Sequence, residues 1–375
     1  MILKKKIKNF YKKIIIYFFY FIYTKPKFVK KNKDLDIFKL YINKKKYNIF
    51  KLRDGRVYTN KNDTTAYISR NNLIAEPSLQ FKKFDNINSY NQKIINNLTL
   101  QNGTPNFKKK FKGSVLSLLS GGASRDNFTH WFTDVLPRIA LFEKKFNKIK
   151  VDKYYVPSIK HKFQLESLKL LGIDKKKIIS SEKYKHIQAE ILYATSHPCH
   201  YLPTKVEEWS LNYLRKKFKK KLINNTKKKN NIFIDRDQLK LIKNTNLKKY
   251  ASYRILLNED KIKKYLSSLG FLILKPENYS LEDQIKLFSN ASCVIGLYGA
   301  AMMMITFCKK NTNILEIMPS KAGEEFRNIS KKLKMNHHQI KIKPIYHSST
   351  PQNGLLFCNV SKIKKNLVKF GFKNI

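Results

Sequence analysis

The stretch Phe271–Pro319, FLILKPENYSLEDQIKLFSNASCVIGLYGAAMMMITFCKKNTNILEIMP, decides the fold. It reads as a strand (FLILKP), a helix (SLEDQIKLFSN), a strand and turn (ASCVIGLYG), a short helix (AAMMMITFC) and a strand (TNILEIMP). Ser280 followed by Asp283 resembles a capping box that starts the first helix. Upstream, NIFIDR reads as another strand, and LNEDKIKKYLSSLG as a helix stopped by Gly270. Strand and helix alternate throughout, which predicts parallel βαβ units and a doubly wound sheet.

The same alternation recurs earlier. GSVLSLLS is a short buried strand, GGASRD a turn, and Asn127 caps a helix that begins at Phe128. KYYVPS (strand), KFQLESLKLLGI (helix ending near Gly172), AEILYATS (strand) and KVEEWSLNYLRKKFKKKL (helix with an apolar stripe) follow. INNTKKKN, residues 223–230, is the best linker. Before residue 110 the pattern is weaker: LRDGRVYTNKNDTTAYIS suggests strands, and NQKIINNLTLQNGTPNFKKKFK a loop. The expected organisation is a basic N-terminal segment (1–30), an N-terminal α/β domain (31–225), a C-terminal α/β domain (226–345) and a tail packing back (346–375). Two such units in series predict a cleft between domains.

Composition sets outer bounds. A chain of 375 residues with 42% hydrophobic content can build two cores. The formal net charge of +51 favours nucleic acid, an anionic membrane face or phosphorylated substrates. The excess is almost entirely lysine, in a chain also rich in Asn and Ile, so solvated surface explains much of it. Runs such as FKKKFKG and RKKFKKKL lack the arginine–aromatic spacing of a nucleic-acid groove, and no zinc-finger, RNP or KH signature occurs. No nucleic-acid partner is expected. The four cysteines form no C-x-x-C pair, which points to a reducing compartment. SHPCHY groups His197, Cys199 and His200, but a fourth ligand is not in sight, so no metal is expected.

The N-terminus, MILKKKIKNFYKKIIIYFFYFIYTKPKF, has an apolar run of about ten residues, against about 20 for a bilayer span. No cleavage site follows its basic lead. It reads as an interfacial helix on an anionic leaflet or as a buried element. The expected location is cytoplasmic, with peripheral contact on the inner face of the plasma membrane.

Three constellations carry chemistry. In NFTHWFTDVLPR, Asn127 to Arg138, capping at Asn127 places His130, Asp134 and Arg138 at spacings of four, near one helix face. Trp131, Val135 and Leu136 supply the buried side, and Pro137 kinks the helix. The helix N-terminus disfavours protonated His130, and a neutral imidazole beside a carboxylate is a competent general base. A His–Asp pair on a structural helix, with Arg138 at the surface, is the plain alternative. In VIGLYGAAMMM, Gly296, Gly299, Ala300 and Ala301 let a ligand approach the backbone, and the helix start favours a pyrophosphate. Glu316, at a strand end, could accept hydrogen bonds from ribose hydroxyls. Finally, Arg236 and Arg254 stand out in a chain that uses lysine almost everywhere, because a planar fork suits a diphosphate. DRD (Asp235–Asp237) also resembles an Asp-x-Asp metal motif, too short to be specific.

Together these blocks resemble a family. NFTHWFTDVLPRIALFEK is similar to the N-Y-Y-H-W-L-x-D-x-L-P-R signature of glycosyltransferase family 61, of the capsular-polysaccharide type. IFIDR, RILLNEDKI, LGFLILKPENYSLEDQIKLFSNASCVIGLYGAA and FCKKNTNILEI follow in that family's order, over roughly Gly113 to Met318. The resemblance implies a GT-B-like pair of Rossmann domains facing a cleft. It also implies inverting, metal-independent transfer from a nucleotide sugar to a surface or capsular glycan acceptor, free or lipid-linked, without a cofactor. His130 and Asp134 would be catalytic. Arg236, Arg254, Gly296, Gly299, Ala300, Ala301 and Glu316 would bind the donor, and Asn127, Trp131 and Arg138 would lie on the acceptor side. One departure stands out: where the family has H-G-A-G-L-T-N, this chain has Tyr298 through Met304, YGAAMMM. Backbone contacts to the donor would survive it and side-chain contacts would not. An inactive, transferase-like basic protein that binds nucleic acid or another anionic polymer, or scaffolds polysaccharide assembly, is the alternative.

Overall fold

The computed structural model describes residues 2–28, 35–60, 65–78, 97–120, 122–199, 206–219 and 230–373. His200 and all of INNTKKKN but Asn230 lie outside them. The chain divides into two compact units, Met1–Pro203 and Thr204–Ile375. The boundary falls earlier than the expected residue 225. The helix Glu208–Lys219 belongs to the second unit because its apolar stripe packs there, Phe218 stacking on Phe307 with ring centroids 5.7 Å apart.

Unit 1 is built on a ten-stranded mixed sheet. Four strands are parallel: Lys109–Ser117 lies between His186–Thr195 and Lys153–Val156, and Ile178–Ser180 follows at the edge. The remaining strands come from the first 75 residues; two of them pair antiparallel with His186–Thr195, and the short edge strand Lys27–Phe28 pairs parallel with Asn72–Ile74. This corrects the expectation of a plain Rossmann-like unit. The first third of the chain supplies hairpins, with left-handed backbone at Asn43, Lys44, Arg70 and Asn71, and hairpins enforce antiparallel pairing. The strand expected at Gly113 starts four residues earlier, at Lys109, inside the segment read as a loop. The core packs Leu52, Val57, Tyr67, Val115, Tyr155 and Leu192.

Unit 2 holds an all-parallel five-stranded sheet in the spatial order Leu272–Leu274, Asn230–Ile234, Ala291–Leu297, Asn313–Pro319, Asn336–Ile342. Numbered along the chain, that order is 2-1-3-4-5, the flavodoxin-like winding rather than the 3-2-1-4-5 Rossmann one. Helices Glu259–Ser268 and Val360–Lys369 cover one face, against Phe233, Ile295, Leu297, Leu315 and Ile317. The strand period of two turns Ile234, Gly296 and their neighbours to the other face, where the 3₁₀ helix Ala300–Phe307 packs. Gly172 (φ 83°) and Gly270 (φ 78°) take the left-handed conformation that ends the helices before them. A three-stranded sheet pairs Arg254–Leu256 with Gly354–Leu356, which pairs with Tyr346–His347. The C-terminal segment is therefore part of the framework that holds Arg254.

Candidate active site

In unit 1, the crossover after strand Lys109–Ser117 carries the first cluster. The Asn127 side chain accepts the His130 amide at 3.2 Å and starts a short helix. A π turn, Trp131–Val135, follows, closed by the Leu136 amide on the Trp131 carbonyl at 3.1 Å. Pro137 then opens the helix Pro137–Lys145. The π turn is how the chain accommodates this proline: the helix restarts at Pro137, whose missing N–H costs nothing at a first position.

His130 Nδ1 lies 2.8 Å from Asp134 Oδ2. Thr133 Oγ1 donates to Asp134 Oδ1 at 2.6 Å. A third group comes from far along the chain: His197 Nε2 stands 3.6 Å from Asp134 Oδ2. The Cys199 amide donates to His197 Nδ1 at 3.1 Å, so that ring carries its proton on Nε2, facing the carboxylate. Burial opposes the charge on Asp134, but the charges and hydrogen bonds of His197 and His130 outweigh it and hold the carboxyl well below the usual range. Burial pushes the His197 pKa down, more than Asp134 raises it. Asp134 is 1% exposed, whereas the His130 side chain keeps 18% of its surface open.

Two residues expected on the acceptor side are in the core of unit 1. Trp131 is fully buried and donates Nε1–H to Ser167 Oγ at 2.8 Å. Arg138 is 1% exposed; its Nε donates to the Asp134 carbonyl at 2.9 Å and its Nη1 to the Thr195 carbonyl at 2.9 Å. Arg138 thus ties the His130 helix to the end of strand His186–Thr195, from which His197 follows. It positions the cluster and does not face an acceptor. Asp134, His197 and Cys199 each bring one potential ligand atom within 4.8 Å of the others, all buried. Three donors fall one short of a structural zinc site, and the two Asp134 oxygens are already engaged by His130 Nδ1 and Thr133 Oγ1.

In unit 2, the second cluster sits where strands 1 and 3 of the sheet diverge, the switch point at which doubly wound sheets bind ligands. Arg236 follows strand Asn230–Ile234 and Tyr298–Gly299 follow Ala291–Leu297. Arg236 Nη1 donates to the Tyr298 carbonyl at 3.2 Å, and Arg254 Nη1 donates to the same oxygen at 2.5 Å. Arg254 also bonds the Gln352 carbonyl and Asn353 Oδ1, and lies over the Tyr298 ring, 4.6 Å from its centroid. A Cβ on Gly299 would fall 2.7 Å from Arg236 Nη1 and 2.9 Å from Arg254 Nη1, so only glycine leaves both guanidiniums their place. Burial, then its neighbour Arg236, lowers the Arg254 pKa to about 10. Burial also lowers that of Arg236, opposed by Glu259. Among the described residues no carboxylate lies within ion-pair distance of either arginine.

The remaining donor-side expectations fare differently. Ala300 and Ala301 open the 3₁₀ helix and stay half-buried. Gly296 makes room for protein: an added Cβ would sit 2.7 Å from Met302 Sδ. Glu316 is in the middle of its strand, fully buried, with Oε2 holding His337 Nε2 at 3.1 Å and Gln339 Nε2 at 3.0 Å. It is an internal clamp on the next strand, out of reach of a ribose. Asp235 and Asp237 are taken by Lys263, Lys275 and Lys240 at 2.9 to 4.0 Å, which leaves no Asp-x-Asp metal seat. Met302, Met303 and Met304 are buried, so the last three residues of the departure YGAAMMM are core positions.

Sequence reasoning missed the pairing of His197 with Asp134, which are 63 positions apart. It also missed Gln352 and Asn353, which reach Arg254 through strand pairing, and Glu259. Glu259 opens its helix at 1% exposure, its carboxyl pushed up to about 7 by burial and then by Asp235.

No curated protein matches this chain. Among solved structures, one similar protein is the bacterial iron-containing dodecameric glycosyltransferase TibC from enterotoxigenic E. coli, at 10% identity and a TM-score of 0.30, covering 80% of this chain and 81% of that one. The family model of Glycosyltransferase 61, by contrast, matches residues 128–315, from the helix of His130 into the strand of Glu316. That match spans half of the chain and takes in both clusters, and the protein therefore belongs to glycosyltransferase family 61 and is a glycosyltransferase.

Proposed function

We propose that this enzyme moves a sugar from a nucleotide-sugar donor to a hydroxyl of a glycan acceptor, in a single inverting displacement without a metal. The acceptor oxygen attacks the anomeric carbon, and the bond from that carbon to the diphosphate breaks. The hydroxyl proton passes to His130 Nε2, and the nucleoside diphosphate leaves with the bonding electrons. His130 suits the base role better than Asp134. Donating Nδ1–H to Asp134 leaves the basic lone pair on Nε2, while Asp134 is buried and a weak base once its pKa is depressed. Asp134 fixes the tautomer and stabilises the imidazolium that forms, the division of labour of a His–Asp pair.

The observation that carries this reading is the pair of arginines sharing the Tyr298 carbonyl at the switch point. Two half-buried cations with no carboxylate in ion-pair contact have an open demand for negative charge, and a departing diphosphate supplies it. Metal independence follows the same logic, since the cations do what a divalent ion would otherwise do. The test is calorimetric titration with a panel of nucleoside diphosphates. One of them binds the wild type, and Arg254→Ala weakens it by at least about tenfold. Binding undiminished in Arg254→Ala, or no binding by any member, removes the diphosphate seat.

A further inference from the structure

The helix Ile2–Tyr23 carries its apolar residues on the wrong side for a globular protein. Ile7, Phe10, Ile14, Tyr17 and Phe21, spaced by three and four, form one stripe, and all are exposed, Phe21 at 92%. Tyr11, Ile15, Phe18 and Ile22 widen it and are exposed too. The helix is nevertheless fixed to unit 1 by its opposite side. Phe19 packs on Phe107 with ring centroids 5.0 Å apart, the Lys108 amide donates to Tyr23 Oη at 3.0 Å, and Tyr20 bonds the Gln101 carbonyl. A Cβ on Gly103 would lie 2.7 Å from the Tyr20 ring, so the body is shaped to receive this helix. Among the described residues no helix is long and apolar enough to cross a membrane.

Beside the end of the stripe lies a cavity of about 550 Å³, lined by Ile22 and Tyr23 of the helix and by Arg53, Arg56, Arg70 and Lys108. Only nine of the 77 basic residues in the chain are arginine, and three of them meet here. Among the described lining residues the one carboxylate is Asp54. Arg56 is 8% exposed and donates to Asn71 Oδ1 at 3.0 Å. Burial lowers its pKa, and its charge in turn helps lower that of Lys108, after burial. A second cavity on the helix flank, of about 660 Å³, adds Lys8, Lys12 and Lys185, with no carboxylate among its described lining.

We infer that the stripe and the arginine cavity form one site for an anionic phospholipid bilayer: the stripe enters the acyl boundary and the cavity takes a lipid phosphate. The chemistry of the two parts matches the two ends of one molecule, because Ile22 belongs to both the stripe and the cavity wall. A second copy of the chain is a poor occupant, since each copy brings the same +51 charge. An aqueous phosphate would use the cavity but leave the stripe uncovered. The site is independent of the sugar chemistry proposed above.

The test is flotation of the full chain with two vesicle types, pure phosphatidylcholine and an equal mixture with phosphatidylglycerol. The wild type floats with the mixed vesicles, more weakly at high salt, and at least about tenfold less with the neutral ones. Phe10→Ser, Tyr17→Ser and Phe21→Ser together reduce partitioning by about a hundredfold, and these exposed sites leave the melting temperature unchanged. Arg53→Gln with Arg70→Gln, both at the surface, removes the preference for the anionic lipid, while Arg56→Lys, which keeps the charge without the fork, loses part of it. Equal flotation with both vesicles overturns the phosphate seat. Undiminished flotation of the triple variant overturns the stripe. Dimers of the wild type that vanish in the triple variant, seen by light scattering without vesicles, assign the stripe to a second copy and overturn the proposal.

Discussion

The His130 cluster and the Arg236 cluster bury charge in opposite ways. Around Asp134 the account is closed within the protein: one carboxylate, the Thr133 hydroxyl, and two imidazoles that face it at 2.8 and 3.6 Å. Around Tyr298 it is open: two guanidiniums converge on one neutral carbonyl, and burial with mutual repulsion lowers the Arg254 pKa. A closed cluster sets the protonation state and orientation of one reactive group. An open one is stabilised only when an anion arrives. A transferase needs both, because its base has to be poised before the acceptor comes and its leaving group needs a cationic seat when the bond breaks.

The sharpest way to break this comparison is at the closed cluster. His130→Ala lowers turnover of the nucleotide sugar by about a thousandfold with little change in donor binding, the range of a lost general base. Asp134→Asn loses a comparable factor, because an amide no longer fixes the proton of His130 on Nδ1. Steady-state rates with donor titrations in both variants separate the roles. If His130→Ala keeps more than about a tenth of the activity while Asp134→Asn keeps none, the base is the carboxylate and our assignment is reversed.

A pH titration of stability compares the two units through their buried acids. Asp134 is held low, so its contribution is present above its unfolded pKa, near 3.8, and disappears as pH falls toward its folded value. Glu259 runs the other way. Its carboxyl is pushed from 4.5 to about 7, so the folded state holds a proton that the unfolded chain has released. Stability from this group is full below pH 4.5 and is lost as pH rises to about 7, by about 3 kcal/mol at most. Urea midpoints at about pH 5 and about pH 7.5 measure the slope, and Glu259→Gln flattens it. An unchanged slope in that variant means Glu259 titrates near its ordinary value and leaves Arg236 fully countered.

What the sequence disclosed follows the range of the interactions involved. The Asn127 cap and the His130–Asp134 spacing lie within one helix, so their geometry is written in consecutive residues. The alternation from Asn231 to Pro319 is likewise local, and the parallel sheet follows from it. Strand order is not local: 2-1-3-4-5 and 3-2-1-4-5 have the same alternation along the chain. His197 reaches Asp134 only because Arg138 grips the end of a distant strand. Arg236 and Arg254 were visible through their rarity, but their shared acceptor depends on the pairing of Arg254 with Gly354. Trp131, Arg138 and Glu316 show the converse failure, since residue types that suit a ligand also suit a core where it offers them partners, as Ser167 does for Trp131 and as His337 and Gln339 do for Glu316 Oε2.

The smallest effect bears on the position where this chain departs from its family. Tyr298 Oη donates to Glu325 Oε2 at 2.8 Å and reaches Gln352 Oε1 at 3.4 Å, while the arginines use its backbone carbonyl. Seating of the diphosphate therefore depends on the residue's main chain and on the ring beneath Arg254, and both persist in Tyr298→Phe. That variant changes nucleoside diphosphate affinity by less than about threefold, whereas Arg254→Ala changes it by at least about tenfold. The contrast is informative because Glu325 loses its donor in Tyr298→Phe and becomes freer to approach Arg254, a move that would close the open cluster with a carboxylate from within. A loss in Tyr298→Phe as large as in Arg254→Ala would mean that the hydroxyl keeps Glu325 away from the cations, and that the tyrosine in place of the family's histidine is what holds the anion seat open.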